Sequence, residues 1–178
     1  MRIKNSTTNY GIVAIIIHWV MALIIIGMLA LGLYMTSLKN SLFKLQLYGW
    51  HKEIGVLVLM LVIVRLTWRL INSSPSLASL PWLQRLAAQV VHWAFYVFMF
   101  ALPITGWLIT SAAGLQVSFF GLFLLPNLVS PDKVQMHLYE NIHSWLAWGL
   151  IATICCHVFA ALVHHFINKD DILLRILR

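Results

Sequence analysis

Eight histidines stand in a chain that is otherwise poor in charged side chains. His18, His51, His92, His143, His157, His164 and His165 fall within or at the ends of long apolar runs, and only His137 lies in a loop by sequence. An ionisable group inside such a run is costly to keep there and points first to function. Taken singly, each would read as a hydrogen-bonded or interface-seeking imidazole, but their spacing says more. His143 and His157 are 14 residues apart. On an α-helix that returns the ring to within about 40° of the same face and about 21 Å further along the axis. One helix then presents two imidazoles on one face, at two depths. With the directions of the runs described below, His18 matches the depth of His157, and His51 matches that of His143. Two imidazole pairs between helices, one above the other, suit two six-coordinate haem irons. Neutral imidazole is a good iron ligand, and an axial pair fills both open positions, favouring electron transfer over oxygen binding. Zinc is the chemical competitor, but a structural zinc site wants about four converging ligands, whereas these histidines divide between two depths.

The remaining polar residues in the runs have softer readings. His92, at the start of the third run, and His164 and His165, at the end of the fourth, suit interface snorkelling or a hydrogen bond to a haem propionate. His164 lies seven residues beyond His157 and shares roughly its face, which makes it a rival ligand. Lys52, Arg65 and Arg69 are candidates for pairing with propionates, since charge-assisted bonds suit carboxylates. Arg65 and Arg69 read equally well as orientation signals alone. A quinone contact is the other reading for Lys52, Arg65, Arg69, His92 and His164, and no catalytic residue is identifiable.

The elements that must position these residues are four apolar runs: Ile12 to Tyr34, Trp50 to Leu70, Leu86 to Ile109 and Ile142 to Ile167. Each approaches or exceeds the roughly 20 residues needed to cross a bilayer as a helix, and none alternates as a barrel strand would. The expected fold is all-α: a transmembrane four-helix bundle holding two haems in one membrane domain, residues 1–178. Pro103 and Gly106 are expected to kink the third helix. Connectors are short and polar (Ser73, Ser74, Pro75, Ser76 and Pro81 in the second), except the third, Ser111 to Glu140. There Phe119 to Leu125 is apolar but too short to span, so it lies along the interface or re-enters.

Composition agrees: 61% of residues are hydrophobic and 10% charged, against about 25% charged in a soluble domain. The net charge of +7 falls between the runs rather than in a stripe, which argues for membrane orientation and against nucleic acid. Arg2, Lys4, Arg65, Arg69, Arg85, Lys169, Arg175 and Arg178 share one side, and Lys39, Lys44, Lys52 and Lys133 the other. Eight against four places both termini in the cytoplasm. The first run is too long for a signal-peptide core and lacks a small-residue cleavage site, so it reads as a retained helix. Cys155 and Cys156 are adjacent and cannot form an ordinary disulfide within a helix.

With these residues in hand, the chain resembles the prokaryotic cytochrome b561 family, small di-haem proteins of bacterial inner membranes. The resemblance is carried by I-H-W at Ile17 to Trp19, H-K-E-I-G at His51 to Gly55 and A-L-P-I-T-G at Ala101 to Gly106. It continues with I-H-S-W-L-A at Ile142 to Ala147 and H-V-F-A-A-L-V-H-H at His157 to His165, then Lys169 and Asp170. It implies two haem b groups with axial ligands His18, His51, His143 and His157, the same set that depth and phase select. It also implies electron exchange with ubiquinone. A superoxide:ubiquinone oxidoreductase is one expectation. A cytochrome subunit passing electrons between quinone and a partner dehydrogenase or hydrogenase is another. The far-side lysines would steer an anion such as superoxide, although Glu53, Asp132 and Glu140 on that side nearly cancel them. A transporter or anchor with buried histidines is the reading from another class.

Overall fold

The structure is a computed structural model that describes residues 2–72, 74–76, 78 and 80–177. Ser73 of the second connector and Arg178 of the charge count lie outside the described residues. Among the described residues, four helices are long and apolar enough to cross a membrane. They are α1 (Ile12–Ser37), α2 (Leu42–Ile71), α3 (Trp82–Ala112) and α4 (Lys133–Val163). A π-helical turn, His164–Asn168, continues α4, and a short α5 (Leu174–Leu177) follows.

Two helices begin earlier than their apolar runs. α2 starts at Leu42 rather than Trp50, and α4 at Lys133 rather than Ile142. Side-chain caps fix both starts: Ser41 Oγ accepts from the Lys44 N–H, and Asp132 Oδ1 accepts from the Val134 and Gln135 N–H groups. Hydropathy marks where a helix meets lipid, not where its hydrogen bonding begins. His137 is therefore on α4, beside Glu140, and not in a loop. α3 starts at Trp82, which puts His92 well inside it, and continues unbroken through Pro103.

The third connector is neither a plain interfacial run nor a re-entrant helix. After α3, Gly114 takes φ +75°, a left-handed turn suited to glycine. The chain then forms a two-stranded antiparallel hairpin, β1 (Ser118–Phe119) and β2 (Phe123–Leu124), pairing Phe119 with Phe123. Val117 and Leu125, buried on either side of it, pack with Val56 of α2 and with Trp107 of α3. The indole N–H of Trp107 donates to the Pro126 carbonyl at 3.0 Å. Hairpin and helices thus form one wall at the end of the bundle away from the termini.

The opposite end gathers both termini and the second connector. Ser76 N–H donates to the Thr7 carbonyl, Arg175 Nη1 to the Ser76 carbonyl, and Trp19 Nε1 to the Ile176 carbonyl. Tyr10 is enclosed there. Burial pushes its phenol above the usual value, although the charges of Arg69, Arg65 and Arg175 pull the other way.

Packing runs in chain order: α1 on α2, α2 on α3, α3 on α4, with no comparable backbone approach of α4 to α1 or α2 among the described residues. A core of Met21, Val62, Tyr96 and Met99 ties the first three helices together. α3 and α4 meet most tightly at Gly149, where an added Cβ would stand 2.8 Å from the Phe98 ring. Replacing Gly149 with leucine is expected to cost about 1–3 kcal/mol through overpacking. Gly27→Ala, at a position with open space around it, should be neutral or mildly stabilising. Thermal unfolding of both variants in detergent checks this pair.

Candidate functional site

α4 carries both halves of the site. At the terminal end His157 faces His18 of α1, with ring centroids 6.4 Å apart and planes at 57°. At the far end His143 faces His51 of α2, at 6.3 Å and 71°. A metal–imidazole bond is about 2.0–2.1 Å, and the ring centroid lies about 1.1 Å behind the nitrogen. Two imidazoles on opposite sides of one metal therefore have centroids about 6.3 Å apart. Both pairs also bridge α4 to helices it does not closely pack against. Among the described residues no group of three or more His, Cys, Asp or Glu gathers as a bare-ion site would require.

Hydrogen bonding sets which ring nitrogen is free. Thr105 Oγ1 lies 2.8 Å from the Ala101 carbonyl, 2.9 Å from that of Leu102 and 2.9 Å from His143 Nδ1. A hydroxyl has one proton. It goes to the backbone carbonyls, so toward His143 the oxygen accepts and Nδ1 carries the hydrogen. Nε2 of His143 is left with a bare lone pair, the form a metal takes. Gly106 packs beside this ring, where a Cβ would sit at ordinary contact distance, 3.5 Å from His143 Cε1. His51 is shouldered by Gly32 of α1 in the same way, at 3.4 Å. Its Nδ1 is buried with no hydrogen-bond partner, an arrangement that costs about 1–3 kcal/mol unless another group completes it. The donors, their spacing and this orphaned nitrogen fit a haem held between paired imidazoles.

Residues 9–178 match the prokaryotic cytochrome b561 family. The chain belongs to that family. Cytochrome b561 homolog 2 of Escherichia coli (strain K12) is 38% identical over 99% of this chain and 95% of its own length. Cytochrome b561 homolog 1 of the same organism is 34% identical over 92% and 93%. A probable superoxide oxidase CybB of Yersinia pestis is 29% identical over 95% and 96%. The cytochrome b561 family is one of membrane electron carriers, and it implies b-type haem in a multi-pass protein of the inner membrane.

In this b561-family bundle the other site candidates take distinct places. Arg65 Nη2 donates to His18 Nδ1 at 3.1 Å. Arg69 places its guanidinium over the rings of Tyr96 and Trp93, 5.7 and 5.9 Å from their centroids. His92 is not at the helix start but 6.0 Å from His157, centroid to centroid. His164 turns away from that group: its Nδ1 pairs with Asp170 and lies 3.3 Å from the Asn168 amide. His165 stacks edge-on against Phe166. Lys52, next to His51, makes no hydrogen bond or ion pair among the described residues.

By sequence, Thr105 and Asp170 have no role beyond their places in the resembling segments, and nothing marks Gly32. A hydroxyl two residues after a helix-internal proline was the available signal for Thr105. Gly32 and Asp170 gave none, because their partners are set by helix packing and by the π turn. Replacing Asp170 with Asn should loosen that turn, cutting amide-exchange protection over residues 164–170 about fivefold, or about 1 kcal/mol. The His143 region should keep its protection. Hydrogen–deuterium exchange read by mass spectrometry checks both.

Proposed function

We propose that this chain is a superoxide:ubiquinone oxidoreductase that carries electrons through the inner membrane between two haem b groups. His18 and His157 hold one, and His51 and His143 the other. The observation that carries the proposal is the pair of imidazole facings, at 6.4 and 6.3 Å, set at two levels of one helix. A bound haem supplies a one-electron relay at each level. His18 with His157, and His51 with His143, would hold it, and two imidazoles on one iron would leave no open position for oxygen.

The balance of the reaction suits two relays. Two superoxide anions each release one electron and leave as dioxygen. One ubiquinone takes the two electrons and two protons and leaves as ubiquinol. The excess of Lys and Arg on the terminal side assigns the termini to the cytoplasm, and superoxide to the opposite face with Lys39, Lys44, Lys52 and Lys133. Arg65, Arg69, Lys52 and His92 are assigned to propionate or quinone contacts, and His164, held by Asp170, to a quinone contact at the terminal end. The similarity to the probable superoxide oxidase CybB of Yersinia pestis supports the choice of superoxide over a partner protein as electron donor.

Two measurements test this. Haem quantitation on the purified chain should give two haems, falling to one in each of His18→Ala, His51→Ala, His143→Ala and His157→Ala, and staying at two in His92→Ala. Loss in His92→Ala with retention in His18→Ala would move the terminal-side ligand to α3. Stopped-flow mixing with superoxide should reduce the loaded chain at a rate on the order of 10⁸ M⁻¹s⁻¹. Reduction only after a dehydrogenase is added would make the protein a cytochrome subunit instead.

A further inference from the structure

The two imidazole pairs are alike in spacing but not in what touches them. At the far level, His143 Nδ1 lies 2.9 Å from the Thr105 hydroxyl oxygen, which we assign as the acceptor because its own proton is directed to the Ala101 and Leu102 carbonyls. At the terminal level, His18 meets a permanent cation, since Arg65 Nη2 is 3.1 Å from its Nδ1. Arg69 stands one helical turn further along α2, over Trp93 and Tyr96, and His92 lies 6.0 Å from His157. The ionisable neighbours of His51 in sequence are Lys52 and Glu53, which have opposite signs.

These contacts act in opposite directions on an iron ligated at each level. An imidazole whose N–H is hydrogen-bonded to an acceptor is a stronger donor. It favours the oxidised, more positive iron and lowers the reduction potential. A guanidinium nearby disfavours the more positive iron by Coulomb repulsion and raises the potential. Arg65 cannot keep its bond to His18 Nδ1 once that nitrogen is protonated, because both groups would then be donors. Ligation through Nε2 requires that protonation. The guanidinium then leaves the nitrogen but stays on α2 at the same level, where it also raises the potential if it pairs with a propionate, by offsetting that negative charge.

We infer that Thr105 and Arg65 are positioning residues that split the two haem potentials, low at the far level and high at the terminal level, so that electrons run downhill toward the termini. One electron leaves the far level, which is oxidised, and arrives at the terminal level, which is reduced, with no atom or proton exchanged between them. This rests on the ligand set proposed above and adds a direction to it.

A potentiometric titration of the haem-loaded chain, followed by absorbance, tests the inference. The native chain should show two separate one-electron waves. Thr105→Val should raise the lower wave alone, changing the reduced-to-oxidised ratio at a fixed electrode potential about tenfold, which is 59 mV for one electron. Thr105→Ser, which keeps the acceptor oxygen, should restore it. Arg65→Gln should lower the higher wave by a similar factor, and Arg65→Lys should largely hold it. A native chain with coincident waves overturns the inference. So does a Thr105→Val shift downward, or one that moves the same wave as Arg65→Gln. If either variant fails to assemble, the native split and the other variant still decide. A native chain that binds no haem would instead defeat the ligand assignment itself.

Discussion

An imidazole within an apolar span has few ways to satisfy its nitrogens, and the facing of imidazoles between α4 and its neighbours is the constraint on which this bundle turns. α4 has one buried residue, Leu150, among its 31, and it approaches α1 and α2 through histidines rather than through close backbone packing. A tight contact with α3 lies between the two histidine levels, where the Phe98 ring stands against Gly149. Gly149 stands about midway between His143 and His157 along the helix. α3 thus clamps α4 between its two histidine levels, and the histidines are left to face across toward α1 and α2. A shift of α4 by one turn, about 5.4 Å, would break both facings together.

The surroundings of the two levels follow from the same arrangement. Pro103 removes a backbone donor from α3, and two residues later Thr105 turns its hydroxyl proton back to the helix carbonyls and its oxygen toward His143. On α2, Arg65 and Arg69 are one helical turn apart. One reaches His18, and the other lies over Trp93 and Tyr96. Apolar helices supply the frame, and a handful of polar contacts distinguish its ends.

Much of this could be read from the sequence, because it depends on one-dimensional periodicity. The 14-residue interval between His143 and His157 fixes both phase and rise on a helix, and the spans follow from the length and hydropathy of the four runs. What could not be read depends on contacts between segments. The early starts of α2 and α4 are set by Ser41 and Asp132 caps on polar turns that hydropathy assigns to loops. The hairpin at 118–124 is held by Val56 and Trp107, distant in sequence. The early start of α3 at Trp82, which sets His92 well inside the helix, and the π turn that gives His164 its partner Asp170 are likewise beyond hydropathy. Arg65 was legible as a functional cation, but its contact with His18 depends on how α1 leans against α2.

The most direct test of the central claim is electron paramagnetic resonance of the oxidised, haem-loaded protein with spin integration. Two imidazole pairs, each closing both faces of an iron, predict two low-spin ferric centres per chain in equal amounts. A high-spin signal of comparable intensity, or a single low-spin centre per chain, would contradict it.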